Sequence, residues 1–425
     1  MPGILELFAG VGGFRVGLEQ LANADLGDQF YHVIWSNQWE PSTNVQHAWR
    51  TYERVYGEGS CVNQDIAVVI ANPENVPNAE MLVGGFPCQD YSVARTLSQA
   101  AGIVGKKGVL WWSIYNLIRD KVEAGAAPTV LFLENVDRLV HSPASQRGRD
   151  FAIILQSLAD LGYRVEWRII NAADYGMPQR RKRTYILAYF NNSPLGHGME
   201  NPTEWIFQEG VFAHAFPVAP YEGARLQGTR IKKKRNWDLA DVSDNFNKET
   251  PDLRMFQNAG VMVDGVFYTT KVEPVYDGPR ITLGDIVAAT PREEITEDFY
   301  IPAGYEQSWR NEKGGKKIVR VDKKTGFEYL YSEGSMAFPD PLDRPSRTII
   351  TGEGGKSASR FKHVIEDPVT HRYRRLVPSE LEQLDMFPRG HTAGETAEKR
   401  AFFMGNALVC GVVERVGVEL AHRDW

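Results

Sequence analysis

Residues 3–21 read GILELFAGVGGFRVGLEQL. The apolar run Ile4 to Phe8 has the length and composition of a buried strand, Gly10, Gly12 and Gly13 supply a tight turn, and Gly13 to Leu21 carries a helical period. Strand, glycine turn and helix make the opening unit of a parallel α/β sheet, and the same alternation continues to about residue 190. Further strands are expected at His32 to Ser36, Met81 to Val83, Val130 to Leu133, Arg164 to Ile170 and Tyr185 to Phe190. Helices are expected at Pro41 to Val55, Leu110 to Glu123 and Phe151 to Leu161. The fold class is α/β, with a doubly wound parallel sheet.

The chain has 425 residues, two to three times a common domain, so a second domain is expected. From 191 to 341 glycine, proline, aromatic and basic residues are interspersed and no long helical period survives. Helical periodicity returns at Pro378 to Met386 and Ala397 to Leu420. The expected division is therefore a first domain over 1–190, an inserted smaller, loop-rich domain over 191–341, and a return segment over 342–425. Hydrophobic residues at 43% and charged residues at 24% are ordinary for a globular chain and exclude a largely disordered or collagen-like one.

The start, MPGILELFAGVGG, has neither a basic leader nor a long apolar stretch, which leads us to expect a soluble cytoplasmic protein with no membrane partner. The three cysteines, Cys61, Cys88 and Cys410, are scattered, and the nine histidines show no HxxxH spacing. Neither a disulfide framework nor a structural metal is expected. The net charge of −6 argues against a generally basic nucleic-acid binder, so a polyanion would be met by local patches. Three basic runs stand out: QRRKR at 179–183, Arg225 to Arg235, and Lys313 to Lys324. Each is either a solvated face or a polyanion contact.

In an open α/β sheet, ligands bind beyond the carboxyl ends of the strands. Beyond them lie Gly10 to Gly13; Asn37, Gln38, Trp39 and Glu40; the cluster Asn63, Gln64, Asp65; Gly84 to Cys88; and Glu134 with Asn135. The glycines do not follow the GxGxxG of a dinucleotide fold, and no phosphate-loop GK[ST] follows them, so a nucleoside cofactor without pyrophosphate fits better. Trp39 would stack on its adenine, a residue ending the second strand would bind ribose hydroxyls, and Asp65 would accept from the adenine amino group. Alternatively the glycines only tighten a strand-to-helix turn.

Cys88 follows proline on a glycine-rich loop, where a thiol is accessible; the other reading is a small buried hydrophobe. Cys61 and Cys410 are read as structural. Glu134 ends an entirely apolar strand, where desolvation would favour a protonated acid near neutrality; the alternative is a capping or salt-bridged Glu.

Seven segments together resemble the C5-cytosine DNA methyltransferases of bacterial type. They are FAGVGG at 8–13, NQDI at 63–66, GGFPCQDYS at 84–92, ENV at 134–136, NAADYGMPQRRKR at 171–183, RRLVPSE at 374–380 and MGNALV at 404–409. They occur in the family's order and span nearly all of the chain outside 191–341. The resemblance implies an S-adenosylmethionine-dependent, Rossmann-like methyltransferase sheet with an inserted target recognition domain over 191–341. It implies methyl transfer to C5 of a cytosine flipped out of duplex DNA, through a covalent adduct of Cys88 with C6, and S-adenosylhomocysteine as product. Glu134 would act at N3, and Arg183 with Arg181 would hold the base carbonyl.

By the same resemblance Phe8, Gly10, Gly12, Gly13, Gln38, Trp39, Asp65, Ile66, Pro87, Leu110, Asn406 and Ala407 would bind the cofactor. Gln89, Ser92, Lys106, Lys107, Gln179, Arg230, Lys232, Lys233, Lys234 and Arg235 would meet DNA, with the segment from Gln89 to Gly108 resembling a loop that closes over it. A restriction-modification or related defence setting is implied, with a cognate restriction endonuclease as a possible partner and the enzyme acting as a monomer on DNA at the bacterial nucleoid.

The sequence departs from the family pattern in three places. Gln38 stands where an acidic residue is usual, with Glu40 two positions on; Val377 stands for a common Thr and Gln383 for a common Arg. Gln38 offers one acceptor in place of a two-oxygen clamp, whereas Pro41 assigns Glu40 to the start of the next helix. Three rivals are weighed. An RNA methyltransferase on this fold would tend to have a shorter recognition region. A non-catalytic DNA-binding relative would have no use for Cys88, Glu134 and Arg183 together. A nicotinamide oxidoreductase fails on glycine spacing.

Overall fold

The computed structural model describes residues 2–86, 110–321 and 328–425. They form two compact units: Met1–Tyr175 with Lys182–Gly278 and Cys410–Trp425, and Gly176–Arg181 with Pro279–Val409.

The first unit is built on strands β1 (Gly3–Leu7), β2 (His32–Asn37), β3 (Met81–Gly85), β4 (Val130–Val136), β5 (Tyr163–Asn171) and β6 (Lys182–Phe190), all within a residue or three of the expected runs. It also holds β7 (Val218–Pro220), β8 (Gln227–Arg230), β9 (Ala259–Val263), β10 (Val266–Thr270) and β11 (Val272–Pro274). Nine of these form one sheet in the order β2-β1-β3-β4-β6-β5-β9-β10-β8, while β7 pairs with β11 separately.

The parallel expectation holds only for β2, β1, β3 and β4. From β6 onward every pairing in the large sheet is antiparallel, because β6 returns directly from β5 and inserts between β4 and β5. The central strands are apolar on both faces, as strands covered by helices on each side must be. Ile4, Leu5, Leu7, Leu82, Val83 and Leu131 to Leu133 are fully buried. Helices Leu110–Glu123 and Arg149–Asp160 contribute Trp111, Ile114, Leu117, Phe151, Ile154 and Leu158 to one core with Leu5, Leu7, Leu82, Leu131 and Leu133.

Several helix boundaries differ from expectation. The segment after the glycine turn runs as Gly13–Arg15, a π-helical stretch Val16–Ala22 and Asn23–Leu26. The second helix is His47–Tyr56, so Glu40 precedes it in a loop and does not open it. The helical period expected over Ala397 to Leu420, interrupted by Gly405 and Gly411, is carried by two helices, Ala397–Asn406 and Cys410–Ala421.

The domain boundaries also fall elsewhere. Residues 191–278 pack with the first unit, where β9, β10 and β8 extend the large sheet beyond β5. Gly260 on β9 lies so close to Trp167 on β5 that a Cβ there would sit 2.2 Å from the indole ring. Of the return segment, only Cys410–Trp425 joins the first unit; there Gly17 accommodates Val413, which a Cβ would meet at 2.5 Å.

The second unit contains the helices Glu306–Lys313 and Pro378–Leu384, and the ribbon β12 (Lys316–Val321) with β13 (Glu328–Glu333). A buried charged network ties it together. Arg374 donates to Asp367 at 2.8 Å and to both oxygens of Glu380 at 2.7 and 2.8 Å, all three side chains being fully shielded. The carboxyl of Asp367 is held well below the usual range despite burial, by donors from Arg292, Arg374 and the Val369 and Thr370 amides.

Candidate active site

Beyond the carboxyl end of β1, the chain turns with Phe8 at φ 53°, Gly10 at 57° and Gly12 at 88°. This left-handed backbone strains any side chain with a Cβ, and at Gly12 there is a second constraint. A Cβ there would lie 2.8 Å from the Tyr56 ring and 3.2 Å from Tyr52. At Gly10 nothing lies within 4 Å of such a Cβ, so the space over the turn is open.

The turn is fastened from below and from the side. The Gly10 amide donates to Gln38 Oε1 at 2.8 Å, and the Ala9 amide to the Asn37 carbonyl at 3.0 Å. Gln38, expected at the ribose, thus spends its one strong acceptor on the glycine turn. Under the turn, Glu6 on β1 is buried and accepts from Tyr52 Oη at 2.7 Å and from the Arg15 amide at 3.2 Å. Burial pushes its carboxyl up to about 7, against the lowering effect of those donors. Arg15 lies over the Tyr56 ring at 4.1 Å and pairs with Glu19.

Beyond β2, Trp39 is 39% exposed, a flat aromatic surface available for stacking. Asn37 Nδ2 donates to the carbonyls of Val62 and Gln64 at 3.1 and 2.9 Å, bringing the Asn63–Ile66 loop beside this strand. Asp65 caps the helix Ile66–Val69 by accepting from the Ala67 amide at 2.9 Å, while Ile66 is buried in the core. Asn63 Nδ2 is shielded from solvent with no hydrogen-bond partner among the described residues. Exposed indole, open glycine turn, carboxylate and orphaned amide fit a nucleoside with hydrogen-bonding edges.

At the ends of β3 and β4 lies the second half of the site. Glu134 is opposite Gly85 in one register and near Arg183 in the other, where Arg183 pairs with Val136. Arg183 Nε is 2.9 Å from Glu134 Oε1, both side chains being largely buried. A Cβ on Gly85 would come 3.1 Å from Glu134 Oε2, so glycine there leaves the carboxylate its room. The salt-bridged alternative for Glu134 is therefore the geometry observed. Asn135, buried beside it, donates from Nδ2 to the Phe86 carbonyl at 2.7 Å and accepts from the Val136 amide at 2.8 Å. It thereby fixes the last described residue before Pro87.

Cys88, Pro87, Gln89, Ser92, Lys106 and Lys107 lie outside the described residues. Leu110 opens the helix Leu110–Glu123 and is half-buried. Cys61 is buried, and burial pushes its thiol up to about 12.

Other expected site residues have different duties. Gln179, expected at DNA, is fully buried in the second unit; its amide donates to Asp385 Oδ1 at 2.7 Å and its carbonyl accepts from the Ile349 amide at 3.0 Å. Arg181, also buried there, donates to the Gly405 carbonyl at 2.9 Å and the Ile349 carbonyl at 3.4 Å, bracing the turn that carries Asn406 and Ala407. In the first unit Lys232 binds both oxygens of Asp160 at 2.8 and 2.9 Å, and Arg230 donates to the Asp264 carbonyl at 3.1 Å. Lys233, Lys234 and Arg235 are exposed.

Asn135, Asn37, Glu6, Tyr52 and Arg15 were not singled out from sequence. Glu6 and Asn135 carry a visible signal, each being a polar residue in or directly after an apolar strand. Asn37 stood in the cluster after the second strand without an assigned duty, and nothing local marks Tyr52 or Arg15.

Comparison with known proteins gives one consistent result. The family described as C-5 cytosine-specific DNA methylase matches residues 3–422. The chain is 42% identical over 424 residues, 99% of its own length and 96% of the relative's, to the Type II methyltransferase M.Sau3AI of Staphylococcus aureus. It is 30% identical over 188 residues, 44% of the chain and 49% of the relative, to the Type II methyltransferase M.HhaI of Haemophilus parahaemolyticus. Among solved structures, the S. pombe Dnmt2 methyltransferase superposes with a TM-score of 0.58 over 99% of this chain and 98% of that one, at 14% identity, which speaks to the fold alone.

Proposed function

Starting from the fact that this chain belongs to the family of C-5 cytosine-specific DNA methylases, we propose that Cys88, Glu134 and Arg183 form its catalytic centre and that the turn at Phe8 to Gly13, Trp39 and Asp65 hold its cofactor. The protein is an S-adenosylmethionine-dependent DNA methyltransferase of restriction-modification type. The observation that carries the residue assignment is the Arg183–Glu134 ion pair, set beside Gly85 on the strand that leads toward Cys88.

S-Adenosylmethionine supplies an electrophilic methyl group on a sulfonium. The residues of the chain do the rest. Cytosine C5 is a poor nucleophile, so the Cys88 thiolate adds to C6, and the displaced π electrons make C5 electron-rich. Glu134, steadied by Arg183, would deliver a proton to the ring nitrogen N3 as the thiolate adds, while the Arg183 guanidinium would meet the charge on the base carbonyl. Once C5 carries the methyl group its proton passes to water, the C5–H electron pair re-forms the C5–C6 double bond as the C6–S bond breaks, the thiolate is regenerated, and the N3 proton returns to Glu134. Because C6 is inaccessible within a duplex, the base must leave the stack first. Gly10 and Gly12 let the backbone approach the cofactor, Trp39 stacks on its base, and Asp65 accepts from its exocyclic amine.

No metal takes part in this reading, and among the described residues no cluster of His, Cys, Asp or Glu is arranged to hold one. The Type II designation of the relatives supports a cognate endonuclease sharing the target site; action as a monomer on DNA in the cytoplasm is part of the same proposal. The test is to incubate the protein and S-adenosylmethionine with unmethylated genomic DNA and sequence after bisulfite conversion. Protection of cytosines in one recurring short context is expected; uniform conversion, with cofactor binding intact, would refute it.

A further inference from the structure

The ribbon β12–β13 is an arm with a rigid base and uncovered faces. At its base, Arg360 donates to the carbonyls of Gly314 and Gly334, one at each root of the ribbon, and pairs with Glu333 at 3.4 Å. Lys313, at the root of β12, is buried with its amine on Asp340 Oδ2 at 3.1 Å and on the Lys362 carbonyl at 2.8 Å. Asp340 is in turn gripped by Arg347 at 2.7 Å.

Above this anchor the apolar residues are exposed. Val319 faces Leu330 across the ladder, and they are 62% and 63% exposed; Val321 shares their face, and Ile318 is on the other. A two-stranded ribbon is marginal alone, and aliphatic side chains on its uncovered faces mark a surface made for a partner.

We infer that this ribbon enters the major groove of the target duplex and that Val319 and Leu330 read bases there by apolar contact. The inference rests on the DNA methyltransferase reading above. Residues 316–333 carry five Lys and Arg against three Asp and Glu, in a chain whose net charge is −6, so the arm is complementary to a polyanion and not to a second copy of an acidic chain. A major groove is about 12 Å wide and admits a two-stranded ribbon, and six residues per strand at ~3.3 Å each exceed its depth. Lys317, on the Val319 face, is suited to a phosphate, whereas Val319 and Leu330 are suited to thymine methyl groups.

The experiment compares the full chain with Val319→Ser/Leu330→Ser and with a chain in which residues 316–333 are removed and Gly315 is joined to Gly334. The roots permit this junction, since a Cβ on Gly315 would lie 3.9 Å from the Gly334 carbonyl carbon. Each is assayed for binding of labelled S-adenosylmethionine, for methylation rate and context on genomic DNA, and for self-association by sedimentation. The double serine variant alters only exposed side chains and should bind cofactor within twofold of the parent. Its rate in the parent's context should fall at least about tenfold, or its methylation should spread to contexts differing at one or more positions. The shortened chain should lose context discrimination altogether.

An unchanged context and rate in the serine variant would overturn the inference. A change confined to self-association would also overturn it and make the ribbon a protein contact. If the unmodified chain methylates nothing, the enzymatic reading itself fails before any variant is compared.

Discussion

Arg183 Nε stands 2.9 Å from Glu134 Oε1, and the two residues lie on neighbouring antiparallel strands, β6 and β4. The insertion of β6 beside β4 is what brings them together. Arg183→Ala leaves a largely buried carboxylate without its cation, and Glu134→Gln leaves the cation without its carboxylate. Each should lower the methylation rate by about 10²–10³-fold with cofactor affinity within twofold, and the double variant should lose little more, because the pair acts as a unit. Additive losses in the double-mutant cycle would argue against joint action.

Gly12→Ala tests the cofactor turn. The added Cβ combines a φ of 88° with a 2.8 Å approach to Tyr56, so the turn must open. Cofactor affinity should fall at least about tenfold, with a stability loss of about 1–3 kcal/mol. Gly10→Ala shares the positive φ but meets no protein neighbour, so its stability loss should be the smaller, while its Cβ enters the space left for the cofactor and affinity should fall too. Equal stability losses, measured by thermal unfolding, would contradict the distinction.

Glu6 links stability to pH. Its folded carboxyl is raised from 4.5 to about 7, so between these values the folded state holds a proton that the unfolded chain has released. The resulting contribution is present below pH ~4.5 and is lost as pH rises through ~7, with an upper size of about 3 kcal/mol. Glu6→Gln cannot titrate, so its unfolding free energy should fall less steeply than the parent's between pH 5 and 8. Parallel curves for the two proteins would refute the assignment.

The family resemblance implies a DNA contact at Gln179 and a catalytic group at Arg181, yet both are buried, Gln179 on Asp385 and Arg181 on the Ile349 and Gly405 carbonyls. Arg181→Ala should therefore act on stability, by about 1–3 kcal/mol for the buried carbonyls it leaves unsatisfied, and leave the DNA affinity of the folded fraction unchanged. A selective loss of DNA affinity at unchanged melting temperature would contradict this.

Legibility in the sequence followed locality. Strands β1 to β6 were readable because each is a short apolar run bounded by turn residues, and so were the glycine turn after β1 and the place of Glu134 at the end of β4. The antiparallel place of β6 between β4 and β5, and the joining of β9, β10 and β8 to the same sheet, depend on pairings between distant segments that no local pattern encodes. The same limit hid Asn135 holding the Phe86 carbonyl, and it misplaced the domain boundary at 190, because composition changes there although packing does not. Gln38 was expected at the cofactor ribose, and its bond to the Gly10 amide was not foreseen.

Cys61 and Cys410 are buried, and the Cys61 thiol is pushed up to about 12, so neither should react with iodoacetamide in the native protein at pH 8. Peptide mapping after alkylation should find the label on Cys88 alone, and label on Cys61 before unfolding would contradict the burial argument.

The central claim is covalent attack by Cys88, and it is tested most directly with duplex DNA in which every cytosine is 5-fluorocytosine. Fluorine at C5 cannot leave as the proton does, so the thioether to C6 persists after methyl transfer. Incubation with S-adenosylmethionine should give a denaturant-stable protein–DNA adduct whose digestion yields a modified Cys88 peptide, and Cys88→Ala should give none. An adduct at Cys61 or Cys410, or methylation of normal cytosine by Cys88→Ala at near the native rate, would contradict the mechanism.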